Sequence, residues 1–268
     1  MEAAVITSRH NPLIRELRAT LRESSRRSGV CVIEGWRLLD AAAAAGMSFD
    51  LLVVSERAAA DAASRAARAR FAARAARDAV VTSEVFAALT QVEAPQGVLA
   101  VVPRPAPAPA VPADPAALAV VLDGVQDPGN VGAIVRTAVA CRAAVVIPCG
   151  ATADPFGPKA VRASAGAVFQ VPVAGSLTPD AAAAALRAGG LRLVVADAHA
   201  EASPGAATWA RPLALVLGGE AAGPSAAWRE HGGAAVRVPV LGPVESLNVA
   251  AAAAVLLYEA AGVVRPSP

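Results

Sequence analysis

The segment Val236-Arg-Val-Pro-Val-Leu-Gly-Pro-Val-Glu245-Ser-Leu-Asn248-Val-Ala250, followed by an alanine-rich run to Ala261, decides how this chain is read. Its first part predicts a β-strand, Ala235–Val240, and Pro239, Gly242 and Pro243 turn the chain into a loop. The polar step Glu245-Ser246-Leu247-Asn248 opens a helix predicted from Ser246 to Ala261. Ser246 is the expected N-cap, because a serine hydroxyl accepts from the free amides of a first helical turn. Gly262 is the expected stop. The helix is almost wholly Ala, Val and Leu. A helix apolar on every side is buried or shared with another chain, and polar residues at its mouth then face a site. A core helix with a simple cap is the alternative.

Upstream of this segment, apolar runs alternate with helical ones. Strands are expected at 119–123, 143–147, 168–173, 191–197 and 213–217, besides 235–240. Helices are expected at 129–141, 155–165, 179–188 and 224–230. The strand runs are continuously apolar rather than alternating, as in strands covered on both faces. With helices between them, they predict an α/β fold with a doubly wound parallel sheet. A ligand then lies at the carboxyl ends of the strands.

The run Pro103-Arg-Pro-Ala-Pro-Ala-Pro-Ala-Val-Pro112 marks a boundary, since alternating prolines enforce an extended, semi-rigid spacer. The division expected is a smaller α/β domain over 1–102, a Pro/Ala linker over 103–116 and a larger domain over 117–264. In the first domain a helix is expected over 13–23, with arginines at 9, 15, 18, 22, 26 and 27. Strands at 30–34, 50–55, 79–82 and 97–102 alternate with helices at 35–45 and 83–90. An Ala-rich helix carries Arg65, Arg68, Arg70, Arg74 and Arg77 with no acid among them. Those arginines either neutralise nucleic-acid phosphates or form a solvated face.

Composition bounds the rest. The 268 residues are 55% hydrophobic and 3% aromatic, and Lys159 is the only lysine. Two domains are expected from that length. A net charge of +2 does not itself point to nucleic acid. Three cysteines without zinc-type spacing suit a reduced setting. No secretory signal pattern and no apolar run long enough to span a bilayer are seen, so a soluble, cytoplasmic protein is expected.

Three loops at strand ends carry the polar residues. The first is Asp123-Gly-Val-Gln-Asp-Pro-Gly-Asn130-Val-Gly-Ala-Ile-Val-Arg136, a glycine-rich strand-to-helix turn whose helix N-terminus suits an anionic ligand. It lacks G-x-G-x-x-G, and the next strand ends in Pro148-Cys149 rather than a ribose-binding acid, which weakens a nicotinamide-dependent oxidoreductase reading. The second is Leu217-Gly-Gly-Glu220-Ala-Ala-Gly223-Pro224-Ser225 and the third is Pro239–Asn248. Together they bring Asn, Arg, Glu and Ser to three strand ends without a His, Cys or metal cluster. That set suits positioning and polar stabilisation better than metal hydrolysis or a Ser-His-Asp triad.

In this order and at these spacings the loops resemble the three motifs of the SpoU/TrmH family of SPOUT-class RNA 2′-O-methyltransferases. The matching residues are Asn130-x-Gly-x-x-x-Arg136, Leu217-Gly-x-Glu220-x-x-Gly223 and Val238-Pro-x-x-x-x-x-Glu245-Ser-Leu-Asn248. Ser8-Arg-His-Asn-Pro12, Val32-Ile-Glu-Gly35 and Glu93-Ala-Pro-Gln-Gly97 are similar to the RNA-binding α/β domain that many members carry. The resemblance implies a SPOUT-type trefoil knot and a homodimer with the site near its interface. It implies S-adenosylmethionine, without a metal, held by backbone at Gly218, Val238 and Leu247. It implies methyl transfer to a ribose 2′-hydroxyl of rRNA, or of tRNA, with Asn130, Arg136, Glu220, Ser246 and Asn248 as the catalytic set and Arg9, Asn11, Arg15 and Arg18 on the RNA. The family assignment makes Arg136 the general base. A guanidinium stays protonated, so we expect Arg136 instead to pin a phosphate and stabilise the forming alkoxide. The sequence departs from the pattern at Ala221, often Gly, and at Pro224, where a larger apolar residue is common. An RNA-binding protein of the same fold without catalysis is the non-enzymatic rival.

Overall fold

The computed structural model describes residues 5–23, 29–90, 92–112, 114–205, 207, 209–220 and 222–262. Arg26, Arg27 and Ala221 therefore lie outside the described residues. The chain divides into two compact units, residues 1–105 with 156–169, and residues 106–155 with 170–268.

The first unit holds α1 (Pro12–Glu23), β1 (Val30–Glu34), α2 (Trp36–Ala44), β2 (Leu51–Ser55), α3 (Glu56–Ala60), α4 (Ala62–Ala72), β3 (Asp78–Val81), α5 (Ser83–Ala87) and β4 (Val98–Pro103). Its sheet order is β1-β4-β2-β3, with β4 antiparallel to both neighbours and β2 parallel to β3. Ile14 and Leu17 of α1 pack with Val53, Val81, Phe86 and Leu99 in its core. The Ala-rich helix is shorter than the arginine spacing suggests. Asp61 breaks it and caps α4, accepting from the Ser64 amide at 2.8 Å, and Arg74 and Arg77 fall beyond its end.

The second unit holds β5 (Leu118–Asp123), α6 (Pro128–Ala140), β6 (Val145–Cys149), α8 (Pro179–Ala188), β7 (Arg192–Ala196), β8 (Leu213–Gly218), α9 (Ala227–Glu230), β9 (Ala234–Val236) and α10 (Val249–Ala260), while α7 (Pro158–Ala163) belongs to the first unit. The sheet order is β6-β5-β8-β7-β9 and all pairs are parallel. Every residue of β5, β6 and β8 is buried, in accord with their continuous apolar runs. Burying a Val, Leu or Ile side chain stabilises by about 1.5–3 kcal/mol, so these strands anchor everything attached to their ends.

Two strand expectations are corrected. The strand at 168–173 is a 3₁₀ turn, Ala167–Gln170, followed by single bridges from Val173 to Val146 and from Leu177 to Cys149. Ala165 and Gly166 both take positive φ and turn the chain, and Pro172 has no amide for a ladder. The last strand stops at Val236 rather than Val240: Arg237 donates its amide to the Ala202 carbonyl at 2.9 Å, and Pro239 cannot pair. The end of the proline-rich run docks on the second unit. Ala108 donates its amide to the Val173 carbonyl at 2.8 Å, and Ala110 and Val111 pack on the core of the second unit.

The last helix is capped by Asn248, whose Oδ1 accepts from the amides of Ala250 (2.9 Å) and Ala251 (3.3 Å), and not by Ser246. Gly262 follows the C-cap with φ +71, the left-handed stop expected of it. Ala253, Leu256, Leu257 and Ala260 are buried, while Val255 and Tyr258 are each 41% exposed. One face of this helix thus lies open. Among the described residues no helix is long and apolar enough to cross a membrane.

Candidate functional site

The glycine-rich turn after β5 is built from the sheet upward. Asp123 ends β5, and Asp127 caps α6 by accepting from the amides of Gly129 and Asn130 with Pro128 in the first helical turn. This sets Asn130 at the mouth of α6. The turn is tied to the end of β6 through Thr152, which is buried. Its Oγ1 donates to carbonyl oxygen at Leu122 (2.6 Å) or Cys149 (2.7 Å) and accepts from the Gly124 amide at 2.9 Å. Cys149 is fully buried, and burial with the adjacent Asp123 charge pushes its thiol up to about 12, so it stays protonated.

The loop after β8 doubles back on itself. The Gly223 amide donates to the Gly219 carbonyl, and the Gly219 amide to the Asp123 carbonyl, both at 2.9 Å. Gly218 and Gly219 have no room for side chains. A Cβ on Gly218 would lie under 3.0 Å from backbone atoms of Gly223 and Pro224, and one on Gly219 would meet the Gly124 carbonyl as closely. Pro224 therefore packs closely against Gly218.

The three loops meet in one hydrogen-bonded chain. Asn248 Nδ2 donates to Asn130 Oδ1 at 3.1 Å, and Asn130 Nδ2 donates to Glu220 Oε1 at 2.6 Å. Because the oxygen of Asn248 is used by its helix cap, its amide nitrogen is the end left to donate. The direction of the whole relay follows from that cap. Two substitutions separate cap from relay. Asn248→Asp keeps an oxygen for the helix but loses the donor. It is expected to fold like wild type and to lose activity about tenfold, as when one positioning hydrogen bond goes. Asn248→Ala is expected to lose activity and, in addition, about 1 kcal/mol of stability. Urea melts beside activity assays check this, and a fully active Asn248→Asp would sink the relay.

The other residues singled out from the sequence are placed as follows. Arg136 is exposed on α6, and among the described residues no hydrogen bond or ion pair engages it. Gly218 is buried at the end of β8, Val238 is half-buried, and Ser246 and Leu247 are exposed in the third loop, where Ser246 joins no hydrogen bond among the described residues. Sequence reasoning passed over Asp123, Thr152 and Trp228. A lone acid closing the apolar run Leu118–Asp123 was the available signal for the first.

The first unit offers a surface of different character. A groove of about 620 Å³ is lined by Arg9, His10, Arg15, Arg18 and Arg22 together with Pro12 and Glu16. Asn11 accepts from the Leu13 amide at 2.9 Å and so starts α1 rather than facing outward as a free amide. Arg9 pairs with Glu84 at 3.1 Å, while Arg15 and Arg18 are exposed. The Arg77 guanidinium grips Glu16 through two bonds, 2.9 and 2.7 Å, and holds its carboxyl below the usual range, offsetting the one acid in the groove. The arginines at 65–77 differ. Arg68 pairs with Asp78 and Arg70 with Asp40, while Arg65 and Arg74 bond backbone carbonyls. Acids from other elements thus pair with Arg68, Arg70 and Arg77, and carbonyls with the other two.

A family model for the SpoU rRNA methylase family matches residues 117–258, which hold all three loops. The chain belongs to the SpoU rRNA methylase family. A second model, for an MRM3-like substrate binding domain, matches residues 11–100. This SpoU-family chain is 37% identical to a 23S rRNA (uridine(2479)-2′-O)-methyltransferase of Streptomyces viridochromogenes over 63% of the chain and 61% of that protein. That alignment spans less than two thirds of the relative's length. It is 34% identical to the 23S rRNA (guanosine(2553)-2′-O)-methyltransferase RlmP of Bacillus subtilis, over 68% of the chain and 72% of that protein. The AdoMet-bound rRNA methyltransferase structure from Sinorhizobium meliloti superposes with a TM-score of 0.84 at 29% identity, covering 98% of this chain and 99% of that one.

Proposed function

We propose that this SpoU-family protein transfers a methyl group from S-adenosylmethionine to a ribose 2′-hydroxyl of 23S ribosomal RNA. The observation that carries the reading is the Asn248–Asn130–Glu220 relay, which joins one residue from each family motif at the carboxyl ends of parallel strands. The relatives named for 23S rRNA support the substrate, and the AdoMet-bound neighbour supports the cofactor. No similarity described above supports a nicotinamide oxidoreductase or an inactive protein.

The third loop suits that cofactor. Val238 and Val240 are half-buried apolar walls, and among the described residues no hydrogen bond occupies a backbone amide from Val238 to Asn248. Apolar walls with a few backbone polar groups are what a nucleoside ligand needs. Gly218, Val238 and Leu247 are the backbone positions that hold it. When bound, it supplies an electrophilic methyl group on a sulfonium sulfur. Asn130, Glu220, Ser246 and Asn248 orient Arg136 and the ribose, and Arg136 fixes the neighbouring phosphate and stabilises the forming alkoxide. The hydroxyl proton passes to phosphate or water. Alignment of nucleophile and methyl supplies much of the rate.

The deciding experiment is labelled methyl transfer to total rRNA and to total tRNA, with Asn130→Ala as control. Label that blocks alkaline cleavage at one rRNA nucleotide and vanishes in the mutant is expected. Label in tRNA alone would move the substrate, and no cofactor binding would overturn the reading.

The groove of Arg9, Arg15, Arg18 and Arg22 is the proposed RNA contact, with Asn11 shaping its helix. Affinity for RNA falls with salt in proportion to the phosphates neutralised, with a slope of roughly 0.7 per contact on single strands. Arg15→Ala with Arg18→Ala is therefore expected to flatten the salt dependence by about one unit or more, whereas Arg68→Ala is expected to leave it unchanged. An unaltered slope in the double mutant would remove the groove from the RNA path.

The trefoil threading, a homodimer and a cytoplasmic location belong to the same proposal. The dimer is supported by apolar exposure along the third loop and last helix: Leu241 is 100% exposed, Val244 58% and Leu247 39%, next to Val255 and Tyr258. Exposed apolar surface of this kind marks an interface, and a second copy of the chain is its proposed occupant. Val255→Asp is expected to convert a dimer to a monomer in sedimentation. A monomeric wild type would refute the assignment.

A further inference from the structure

Asp123 closes β5 with 6% of its surface exposed. Main chain and side chain both hold the loop that follows β8. The carbonyl accepts from the Gly219 amide at 2.9 Å. Oδ2 accepts from the Ser225 amide at 2.7 Å and from the Trp228 indole N–H at 2.8 Å. Trp228 is fully buried and packs in the core with Leu186, Leu193 and Val195. The next residue, Arg229, ion-pairs with Asp197, a buried acid just beyond β7. Since β8 lies between β5 and β7, α9 is tied to the ends of both flanking strands. Glu220 sits inside a loop fastened at both ends.

A buried carboxylate is tolerated where N–H groups satisfy it, and hydrogen bonds to an ionised acceptor are roughly twice as strong as neutral ones. Here both bonds to Oδ2 serve the one loop that carries Glu220. We propose that Asp123, acting through Trp228 and Ser225, is the positioning residue that holds Glu220 against Asn130. The buried sheet then governs the geometry of the relay, and the exposed loop follows it. The effect on methyl transfer rests on the methyltransferase reading; the effect on the loop does not.

Trp228→Phe tests this, because it keeps a buried aromatic ring and removes the indole donor. Methyl transfer is expected to fall about tenfold in the single variant, and by less than about twofold when Glu220→Ala is already present, the non-additivity of residues that act as a unit. In the cofactor-free protein, amide exchange of Gly219, Gly223 and Ser225 is expected to speed up about tenfold while that of β5 and α6 is unchanged. Additive losses, or unchanged exchange in the loop, would overturn the proposal. Should the wild type transfer no methyl group, the functional reading fails and the exchange result still decides the fastening. Asp123→Asn, which keeps the shape with a weaker acceptor, serves if Trp228→Phe does not fold, with the same expected direction and the same overturning result.

Discussion

Replacing Arg136 with alanine is expected to lower methyl transfer about a thousandfold while folding and cofactor binding stay at wild-type level. Arg136 stands exposed on α6, and among the described residues no acid or carbonyl holds it. Its removal strands no buried partner, and alanine is the better helix former, so stability changes by no more than about 0.5 kcal/mol. What goes is an exposed charge on the helix that carries Asn130. A guanidinium presents a planar fork that a phosphate accepts at two oxygens, and an anionic transition state gains most from such a donor. Arg136→Lys keeps the charge and loses the fork, so its activity is expected between the other two. The pH–rate profile then separates two roles. A lysine base titrates near its pKa of about 10.4 whereas a guanidinium stays protonated throughout. Parallel profiles for wild type and Arg136→Lys rule out the guanidinium as base and leave it as an electrostatic anchor. An Arg136→Ala enzyme within tenfold of wild type would remove Arg136 from the reaction.

The parallel sheet was legible because β5, β6 and β8 are near-continuous apolar runs, broken in β5 only by the closing Asp123, and burial on both faces calls for that pattern. Val168–Val173 has the same apolar look and still turns away. The positive φ of Ala165 and Gly166 redirects the chain, and that depends on their surroundings rather than on composition. Ser246 and Asn248 are both good caps in isolation, and the choice between them is made by the bond from Asn248 to Asn130, a residue 118 positions away. The pairing of the arginines at 65–77 was hidden for the same reason: Asp40, Asp78 and Glu16 pair with three of them from elsewhere in the chain. Asn130, Glu220 and Asn248 could be read from motifs, whereas Trp228 could not, since it looks like an ordinary member of its element, and Asp123 showed only as a lone acid closing an apolar run. Distance in sequence hides exactly the contacts that fasten one loop to another.

Gly218→Ala is expected to cost about 1–3 kcal/mol, as overpacking does, and to abolish cofactor binding. Gly218 is the last residue of β8 and is buried. The atoms a new Cβ would strike are the carbonyl carbon of Gly223 and the nitrogen and Cδ of Pro224. Two of these are backbone and the third is a ring, so no rotamer change relieves the clash. Relief requires the loop to lift, which breaks the bond from the Gly223 amide to the Gly219 carbonyl and carries Glu220 away from Asn130. The strand cannot yield instead, because Asp123 and Leu122 lie beside it in register in β5. A fall in Tm of about 5 °C is the expected scale for a unit of this size, together with loss of S-adenosylmethionine binding by calorimetry. Gly242→Ala is the matched control: no atom lies within 4 Å of its Cβ position, and the change is expected to stay within about 0.5 kcal/mol. If Gly218→Ala melts and binds cofactor like wild type, the loop tolerates displacement and close backbone packing at the end of β8 does not shape the site. If it loses binding with Tm unchanged, the cost falls on the ligand contact alone, and Gly218 serves the cofactor directly.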